Sequence, residues 1–214
     1  MCIDELLQND AAPIIAILRG IEPDQAVAVG EALVRAGVRC IEVPLNSPQP
    51  LESIGRLRAA VDENVLIGAG TVLTPAEVDA VAAAGARFMV APNTDAPVIA
   101  RALERGLDAL PGFFTATEAF AAVAAGARHL KLFPAASAGP KHLAALRDVL
   151  PREVRFWAVG GIDDGNLAEW LARGAAGVGV GGSVFRPGMT AQQSGERARE
   201  LVAVWRGIRS RQLK

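Results

Sequence analysis

The chain has 214 residues, of which 51% are apolar and 21% charged, so it can bury a sizeable core and is not a disordered chain. Its 22 Lys and Arg residues are balanced by 23 Asp and Glu residues, so the formal net charge is −1 and no basic surface for nucleic acid is expected. The first ten residues are acidic, and no apolar run approaches the roughly 20 residues of a membrane span, so we expect a cytoplasmic protein with no signal peptide and no membrane partner.

In chain order, residues 3–8 predict a short helix that covers the floor of the fold, and Ile14–Leu18 predicts the first strand. After this strand one pattern recurs five times, in which a glycine that ends a helix is followed at once by a short apolar strand. The glycines lie 48, 21, 20 and 48 residues apart, so each long interval spans two strand-and-helix units. They are Gly37, Gly85, Gly106, Gly126 and Gly174, and the strands after them are predicted at Cys40–Val43, Phe88–Ala91, Ala109–Pro111, His129–Phe133 and Gly177–Val180.

Each long interval holds one more apolar segment, at Val65–Ala69 and at Arg155–Val159, which brings the number of predicted strands to eight. Ala-rich segments with helical spacing lie between the strands. Several of these helices are expected to begin near a Thr or an Asp, as at Thr74, Asp95 and Asp163.

Residues 191–209 predict a last helix with a solvated basic face. We therefore predict an α/β fold, a single (β/α)8 TIM barrel over residues 1–214 with a short N-terminal helix. A doubly wound open sheet has the same alternation of strands and helices and is the alternative architecture.

Catalytic groups of such a barrel come from the carboxyl ends of its strands, where side chains alternate between the barrel interior and the helix layer. Lys131 interrupts an apolar strand, and it points into the barrel if Leu130 and Leu132 face the helices. An apolar site lowers the pKa of a buried amine, which makes a nucleophile available near neutral pH. A lysine that only pairs with a carboxylate is the other interpretation, and the sequence favours neither.

Three further side chains are expected near the same end of the barrel. Glu42 lies between the outward-facing Ile41 and Val43, so its carboxylate shares the cavity with the amine, as base or as ion-pair partner. Arg19 follows the first strand, where a guanidinium suits a carboxylate ligand and its charge would lower the pKa of a nearby lysine. Thr71 follows a Gly-Ala-Gly turn and either binds a ligand or starts a helix.

Glycines in the loops after the seventh and eighth strands predict a phosphate site, because backbone N–H groups can approach an oxyanion closely there. These loops carry Gly160 and Gly161 in one, and Gly181, Gly182 and Ser183 in the other. The stretch 177–182 also matches a dinucleotide-binding pattern. Its first glycines lie in a strand, so we interpret that match as accidental.

The remaining candidates are assigned to structure. His129 is interpreted as a core histidine. Cys2 and Cys40 are too few for a disulfide framework, and no spacing of cysteines, histidines or carboxylates fits a metal, so no metal site is expected. The aromatic residues are assigned to the core, among them Phe88, Phe133 and Trp157.

Five motifs stand in order between about Pro13 and Phe185, over nearly the whole chain. They are Ala16-Ile17-Leu18-Arg19-Gly20, Ile41-Glu42-Val43-Pro44-Leu45, Gly68-Ala69-Gly70-Thr71-Val72-Leu73, Lys131-Leu132-Phe133-Pro134-Ala135 and Val159-Gly160-Gly161-Ile162. Together they resemble the family of 2-keto-3-deoxy-6-phosphogluconate aldolases and 2-keto-3-deoxy-6-phosphogalactonate aldolases.

The resemblance implies a homotrimeric class I aldolase that uses no metal or cofactor. Its substrate would be a phosphorylated keto-deoxy sugar acid, cleaved to pyruvate and glyceraldehyde 3-phosphate. By matching motif, the resemblance implies that Lys131 is the Schiff-base lysine and Glu42 the general acid/base. It also implies that Thr71 and Arg19 bind the pyruvyl carboxylate, and that the loop glycines with Ser183 bind the phosphate.

At two positions the sequence differs from the phosphogluconate branch of this family. The chain has Asn46 where the phosphogluconate enzymes carry an Arg on the second strand, and Val159 where they carry a Thr. Both departures, and the placement of Arg19 on the first strand, resemble the phosphogalactonate branch. Because the two branches act on C4 epimers, the resemblance implies that specificity depends on Asn46, Pro92 and Val159.

Three alternatives stay open on the sequence. The first is an aldolase for the gluconate epimer, with or without activity on 4-hydroxy-2-oxoglutarate. The second is a phosphosugar isomerase or epimerase that uses Glu42 as its base, and the third is a phosphate-binding barrel without chemistry. Only an aldolase of this class requires a lysine able to form an imine.

Overall fold

The computed structural model describes residues 2–9 and 11–212, so Met1 and Asp10 of the acidic N-terminal segment, with Leu213 and Lys214, lie outside it. The strands are β1 (Ile14–Ile17), β2 (Cys40–Pro44), β3 (Leu66–Gly70), β4 (Phe88–Val90), β5 (Asp108–Leu110), β6 (Gly112–Phe113), β7 (His129–Leu132), β8 (Arg155–Val159) and β9 (Gly177–Val180). The helices are α1 (Ile3–Gln8), α2 (Pro23–Ala36), α3 (Pro50–Ala60), α4 (Pro75–Ala83), α5 (Ala96–Glu104), α6 (Ala116–Ala124), α7 (Ala135–Ala138), α8 (Pro140–Arg147), α9 (Leu167–Ala172) and α10 (Ala191–Gln212). None of the described helices is long and apolar enough to cross a membrane.

The parallel strands pair in the order β5-β4-β3-β2-β1-β9-β8-β7-β6, and they form a barrel because β5 and β6, at the two ends of this order, are joined directly through Pro111. This pairing excludes the doubly wound open sheet and confirms the predicted architecture. The predicted fifth strand is corrected in one respect, since it is divided at Pro111 into β5, which pairs with β4, and β6, which pairs with β7. Proline has no N–H to donate, and its carbonyl accepts the N–H of Lys131 at 2.9 Å, so the strand changes partner at this residue.

Alternate strand positions fill two separate apolar layers. Ile41, Val43, Leu130 and Leu132 lie in the layer between strands and helices, which confirms their predicted outward orientation. The inner layer fills the barrel itself, and it includes Ile15, Ile17, Leu66, Phe88, Val90, Leu110, Trp157 and Val159.

The helix ends follow the predicted repeat. All five glycines expected to end helices have positive φ, between +72° and +105°, a conformation in which other residues are strained. The side chains of Thr74 and Asp95 cap α4 and α5 as predicted, by accepting backbone N–H groups. Asp163 stands near the start of α9 as expected: its carboxylate accepts the N–H groups of Gly165 and Asn166 in the turn that leads into the helix at Leu167.

The short helix α1 covers the floor of the barrel, as predicted. Its Ile3 N–H donates to Asp108 Oδ2 at 2.7 Å, which places a carboxylate at the positive end of the helix. His129 is 3% exposed, its Nδ1 accepts from Trp157 Nε1 at 3.3 Å, and its Nε2 lies 3.4 Å from Asp4 Oδ1. His129 is therefore a core histidine with polar partners on both ring nitrogens, which confirms its assignment to structure.

Candidate active site

A cavity of about 670 Å³ opens at the carboxyl ends of β1, β7, β8 and β9. Seven of the predicted site residues line it, namely Arg19, Val159, Gly160, Gly161, Gly181, Gly182 and Ser183. The other predicted site residues do not line this cavity: Glu42, Asn46, Thr71, Pro92 and Lys131. Lys131 pairs in register with Trp157, two positions before Val159, so it lies one layer deeper in the barrel than the cavity wall.

Lys131 is buried, 6% exposed, and points into the barrel as predicted. Burial lowers the pKa of its ammonium from the ordinary value, the charge of Arg19 lowers it further, and the charge of Glu42 opposes both effects. Its Nζ lies 4.5 Å from the centre of the Phe133 ring, and that ring lines the cavity. The Phe133 ring therefore lies between the buried amine and the cavity.

Glu42 is buried, 3% exposed. Removal of its carboxylate from water raises the pKa above the ordinary value, and the charges of Lys131 and Arg19 only partly oppose this shift. The carboxylate of Glu42 makes no hydrogen bond or ion pair with any of the residues that the structure describes. A direct ion pair with Lys131, which was the alternative interpretation of these two side chains, is thus not formed, although each group shifts the pKa of the other. Glu42 lies over Gly70, where a Cβ would collide with the carboxylate.

The loop after β1 is held by the loop after β2. Arg19 Nη1 donates to Asn46 Oδ1 at 2.6 Å, and the Gly20 N–H donates to Ser47 Oγ at 2.9 Å. Arg19 is exposed and lines the cavity, whereas Asn46 does not reach it. Asn46, predicted as a specificity residue, therefore contacts the cavity through Arg19.

Thr71 directly follows β3 and has φ of +58°, which is a strained conformation for a β-branched residue. Strain of this kind is often retained at functional sites, where the surrounding structure holds it. Pro92 follows β4, and its carbonyl lies where a Cβ on Gly112 would be. The structure thus places both residues at the carboxyl ends of strands, outside the cavity wall.

The two glycine loops form one side of the cavity. Gly160 and Gly161 have φ of +101° and +78°, and Ser183 Oγ donates to the Ile162 carbonyl at 2.9 Å, which ties the two loops together. In the described part of the chain, the N–H groups of Gly161, Gly182 and Ser183 donate to no protein acceptor. These loops therefore offer free backbone donors to an anion.

Phe133 and Arg186 are among the cavity-lining residues that the sequence did not indicate as site residues. Phe133 is half-buried and packs against the inner apolar layer, in agreement with its assignment to the core, but its ring also lines the cavity beside the Lys131 amine. Phe88 and Trp157 are fully buried as expected. Arg186 stands three residues after Ser183 and lines the same cavity. The rule that loops after barrel strands carry the site would have found Arg186, had the last loop been followed beyond its glycines.

A buried amine and a buried carboxylate at strand ends, beneath a cavity walled by glycine loops, are the arrangement expected of a (β/α)8-barrel enzyme. The family model described as "Aldolase: KDPG and KHG aldolase" matches residues 3–199. The chain belongs to the KDPG and KHG aldolase family and is a carbon–carbon lyase.

Curated relatives agree with this family. A 2-dehydro-3-deoxy-6-phosphogalactonate aldolase of Escherichia coli (strain K12) is 45% identical over 91% of this chain and 95% of its own length. A probable enzyme of the same name from Rhizobium meliloti (strain 1021) is 45% identical over 92% of each chain. A 2-dehydro-3-deoxy-phosphogluconate aldolase of Dickeya dadantii (strain 3937) is 34% identical over 90% of this chain and 92% of its own.

Solved structures share the fold. The structure described as native KDPGal has a TM-score of 0.90 at 44% identity and covers 92% of this chain and 96% of its own. A KDPG aldolase from Legionella pneumophila, with pyruvate captured as a covalent carbinolamine intermediate, has a TM-score of 0.81 at 27% identity, over 97% and 98% of the two chains. A cage designed by fusing symmetric oligomeric domains has a TM-score of 0.92 at 44% identity, over 94% of this chain and 74% of the other.

Proposed function

We propose that this chain is a class I aldolase that cleaves 2-dehydro-3-deoxy-6-phosphogalactonate to pyruvate and glyceraldehyde 3-phosphate. The observation that carries the proposal is the placement of Lys131 and Glu42. Both side chains are buried at strand ends, each shifts the pKa of the other, and no direct contact ties them together. An amine and a carboxylate held in this way are free to act on a third group between them.

Lys131 is the nucleophile of the proposed reaction. Its lowered pKa increases the fraction of neutral amine near pH 7, and only the neutral amine attacks a ketone. Attack of Nζ on the C2 carbonyl carbon gives a carbinolamine, and loss of water from it gives an iminium ion. The iminium then accepts the electron pair of the C3–C4 bond, which breaks to leave an enamine.

Glu42 is the proton carrier. Its raised pKa brings a carboxylic acid closer to neutral pH, where the same group can accept and return a proton. Directly or through a water molecule, the carboxylate takes the proton of the C4 hydroxyl as the C3–C4 bond breaks, which releases the aldehyde. The resulting acid protonates C3 of the enamine, and hydrolysis of the imine frees pyruvate and Lys131.

The two ends of the substrate are assigned to two different types of hydrogen-bond donor, a charged side chain at the carboxylate and uncharged backbone N–H groups at the phosphate. Arg19 supplies a guanidinium for the carboxylate at C1, assisted by Thr71 at the end of β3. Free N–H groups of the glycine loops suit the phosphate oxygens, because glycine lets the backbone approach closely. The cavity holds both Arg19 and these loops, so one extended molecule can reach both.

The galactonate epimer is the proposed substrate because relatives with that name share 45% identity with this chain, against 34% for the phosphogluconate aldolase above. Asn46, Pro92 and Val159 are the proposed specificity residues. Of these, Val159 lines the cavity and Asn46 holds Arg19. We also propose a cytoplasmic homotrimer; the likeness to a domain described as symmetric and oligomeric supports an oligomer of some order.

The experiment is to measure pyruvate release from the two C4-epimeric phosphates. We expect kcat/KM for the galactonate epimer to exceed that for the gluconate epimer by about tenfold or more. Lys131→Ala should release no pyruvate from either, whereas Lys141→Ala, an exposed lysine on α8, should behave as the unmodified protein. Near-normal turnover by Lys131→Ala would reject the mechanism, and preference for the gluconate epimer would reject the assigned substrate.

A further inference from the structure

A second arginine lines the cavity beside the glycine loops. Arg186 lies in the turn after β9, and the Met189 N–H donates to its carbonyl at 3.0 Å. Its neighbour Pro187 packs against Gly20, with Cγ 2.9 Å from where a Cβ would be, so the turn rests against the loop that carries Arg19. The backbone of Arg186 is therefore held between two loops of the site.

The guanidinium of Arg186 is anchored at one nitrogen only. Its Nε donates to the Gly182 carbonyl at 2.6 Å. Its Nη1 and Nη2 make no hydrogen bond or ion pair with any residue in the part of the chain that the structure describes. An arginine that is fixed through Nε leaves Nη1 and Nη2 side by side at the end of the planar guanidinium. These two groups can bind two oxygens of one phosphate.

The glycine loops themselves bring no positive charge to a dianion. The Ser183 hydroxyl already donates to the Ile162 carbonyl, so these loops offer uncharged backbone N–H groups. Asp163, the one carboxylate on the described cavity wall, would repel a phosphate, and its Oδ1 is turned to the N–H groups of Gly165 and Asn166. The described cavity wall carries two arginines, and Arg19 is already assigned to the carboxylate of the substrate. Arg186 is therefore available to the phosphate.

We propose that Arg186 is the side-chain ligand of the substrate's phosphate group and that it sets the preference of the enzyme for phosphorylated aldehydes. This inference rests on the proposed aldolase function. It assigns to Arg186 the charge neutralisation, and to Gly161, Gly182 and Ser183 the backbone hydrogen bonds to the same group. Arg19 and Lys131 then act only on the carboxylate and the ketone at the other end.

The test is the synthetic direction of the reaction, in which pyruvate condenses with an aldehyde. For each protein, kcat/KM is measured with glyceraldehyde 3-phosphate and with glyceraldehyde, which lacks the phosphate. Arg186→Gln is expected to lower the value for the phosphorylated aldehyde about 10- to 100-fold, as for the loss of hydrogen bonds to a charged group, and to change the value for glyceraldehyde less than about threefold. Arg186→Lys, which keeps the charge but not the fork, should fall between.

Arg199→Gln is the matched control, because Arg199 is an exposed arginine of the neighbouring helix α10 and lines neither the cavity nor the surface next to Arg186. A fall of equal size with both aldehydes would assign Arg186 to structure and overturn the proposal, as would no change with either. Borohydride trapping of pyruvate on the unmodified protein is run alongside. If no adduct forms, the proposed function itself fails, and this outcome is distinct from a failure of Arg186.

Discussion

Arg19 acts on both reacting groups at once, since its charge lowers the pKa of Lys131 and of Glu42. We expect Arg19→Gln to raise both pKa values. Because only the neutral amine attacks, the rate of borohydride trapping at saturating pyruvate should rise with pH through a midpoint that lies higher in Arg19→Gln than in the unmodified protein. Glu42→Gln should move the same midpoint down, since the charge of Glu42 raises the pKa of Lys131.

Arg35→Gln provides the control for the pH profile, because Arg35 is an exposed residue of α2 that pairs with Glu31. Its midpoint should equal that of the unmodified protein. An unchanged midpoint in Arg19→Gln, or one displaced to lower pH, would show that Arg19 does not act on the amine.

Gly70 positions Glu42 by leaving room for its carboxylate. The three atoms nearest to a Cβ at residue 70 all belong to the Glu42 side chain, so Gly70→Ala should turn that side chain aside and leave the barrel intact. We expect kcat to fall by about 100-fold or more, the usual contribution of a placed acid or base, while pyruvate still forms an adduct on Lys131. Steady-state kinetics, trapping and thermal unfolding measure the three quantities.

Gly207→Ala is the control for Gly70→Ala, because nothing lies within 4 Å of a Cβ at this helical position. Its activity should be unchanged and its stability equal or slightly higher, since alanine favours the helix. Normal kcat in Gly70→Ala would remove Glu42 from the proposed role.

For single residues, the sequence predicted the orientation of a side chain correctly where apolar residues alternate along a strand. It placed Lys131 and Glu42 in the barrel interior because each stands between outward-facing apolar residues. It missed contacts between loops, such as Arg19 with Asn46, because loop conformation depends on residues far apart in sequence. Phe133 was missed because an aromatic residue at a strand end has the same pattern whether it fills the core or lines a cavity.

The element with the clearest pH dependence is α1 on the barrel floor, which meets β7 through His129. Burial lowers the pKa of His129; the carboxylates of Asp4 and Asp108 oppose this shift, and the guanidinium groups of Arg155 and Arg128 reinforce it. Below the ordinary histidine pKa of about 6.5, the unfolded chain therefore binds a proton that the folded one does not. The contribution of His129 to stability is complete above pH 6.5 and declines as the pH falls through its folded pKa.

His129→Gln removes this titration and keeps an acceptor for the Trp157 N–H. We expect the free energy of unfolding of the unmodified protein, minus that of His129→Gln, to decrease as the pH is lowered from about 7 to about 5. The Asp108 carboxyl is raised in pKa by burial and titrates in the opposite sense, but both proteins retain it. Denaturant unfolding at several pH values measures the difference, and a difference independent of pH would contradict the account.

Elements were predicted best where one residue fixes the backbone. The helix-ending glycines and the caps Thr74 and Asp95 satisfy backbone groups locally, so their positions follow from sequence. Asp163 likewise accepts backbone N–H groups in the turn that leads into α9, as expected of a residue near a helix start. The division of the fifth strand at Pro111 was not predicted, because the exchange of partner depends on β4 and β7.

For the whole molecule, the repeat of strand and helix predicted eight units and a closed barrel, although the same alternation also fits an open sheet. Closure depends on the pairing of β1 with β9, between Ile14 and Val178, which are distant in sequence. That closure places the loops after β8 and β9 beside the loop after β1. The cavity that holds Arg19 and the glycine loops is thus a consequence of the barrel and not of any single motif.

The central claim is that the buried Lys131 forms an imine with a 2-keto acid. Its most direct test is reduction of the protein with borohydride in the presence of pyruvate, followed by intact mass measurement and peptide mapping. The account predicts one reduced pyruvyl adduct per chain, on Lys131, and none in Lys131→Ala. A folded protein that gains no adduct, or gains it on another lysine such as Lys141, would contradict the account.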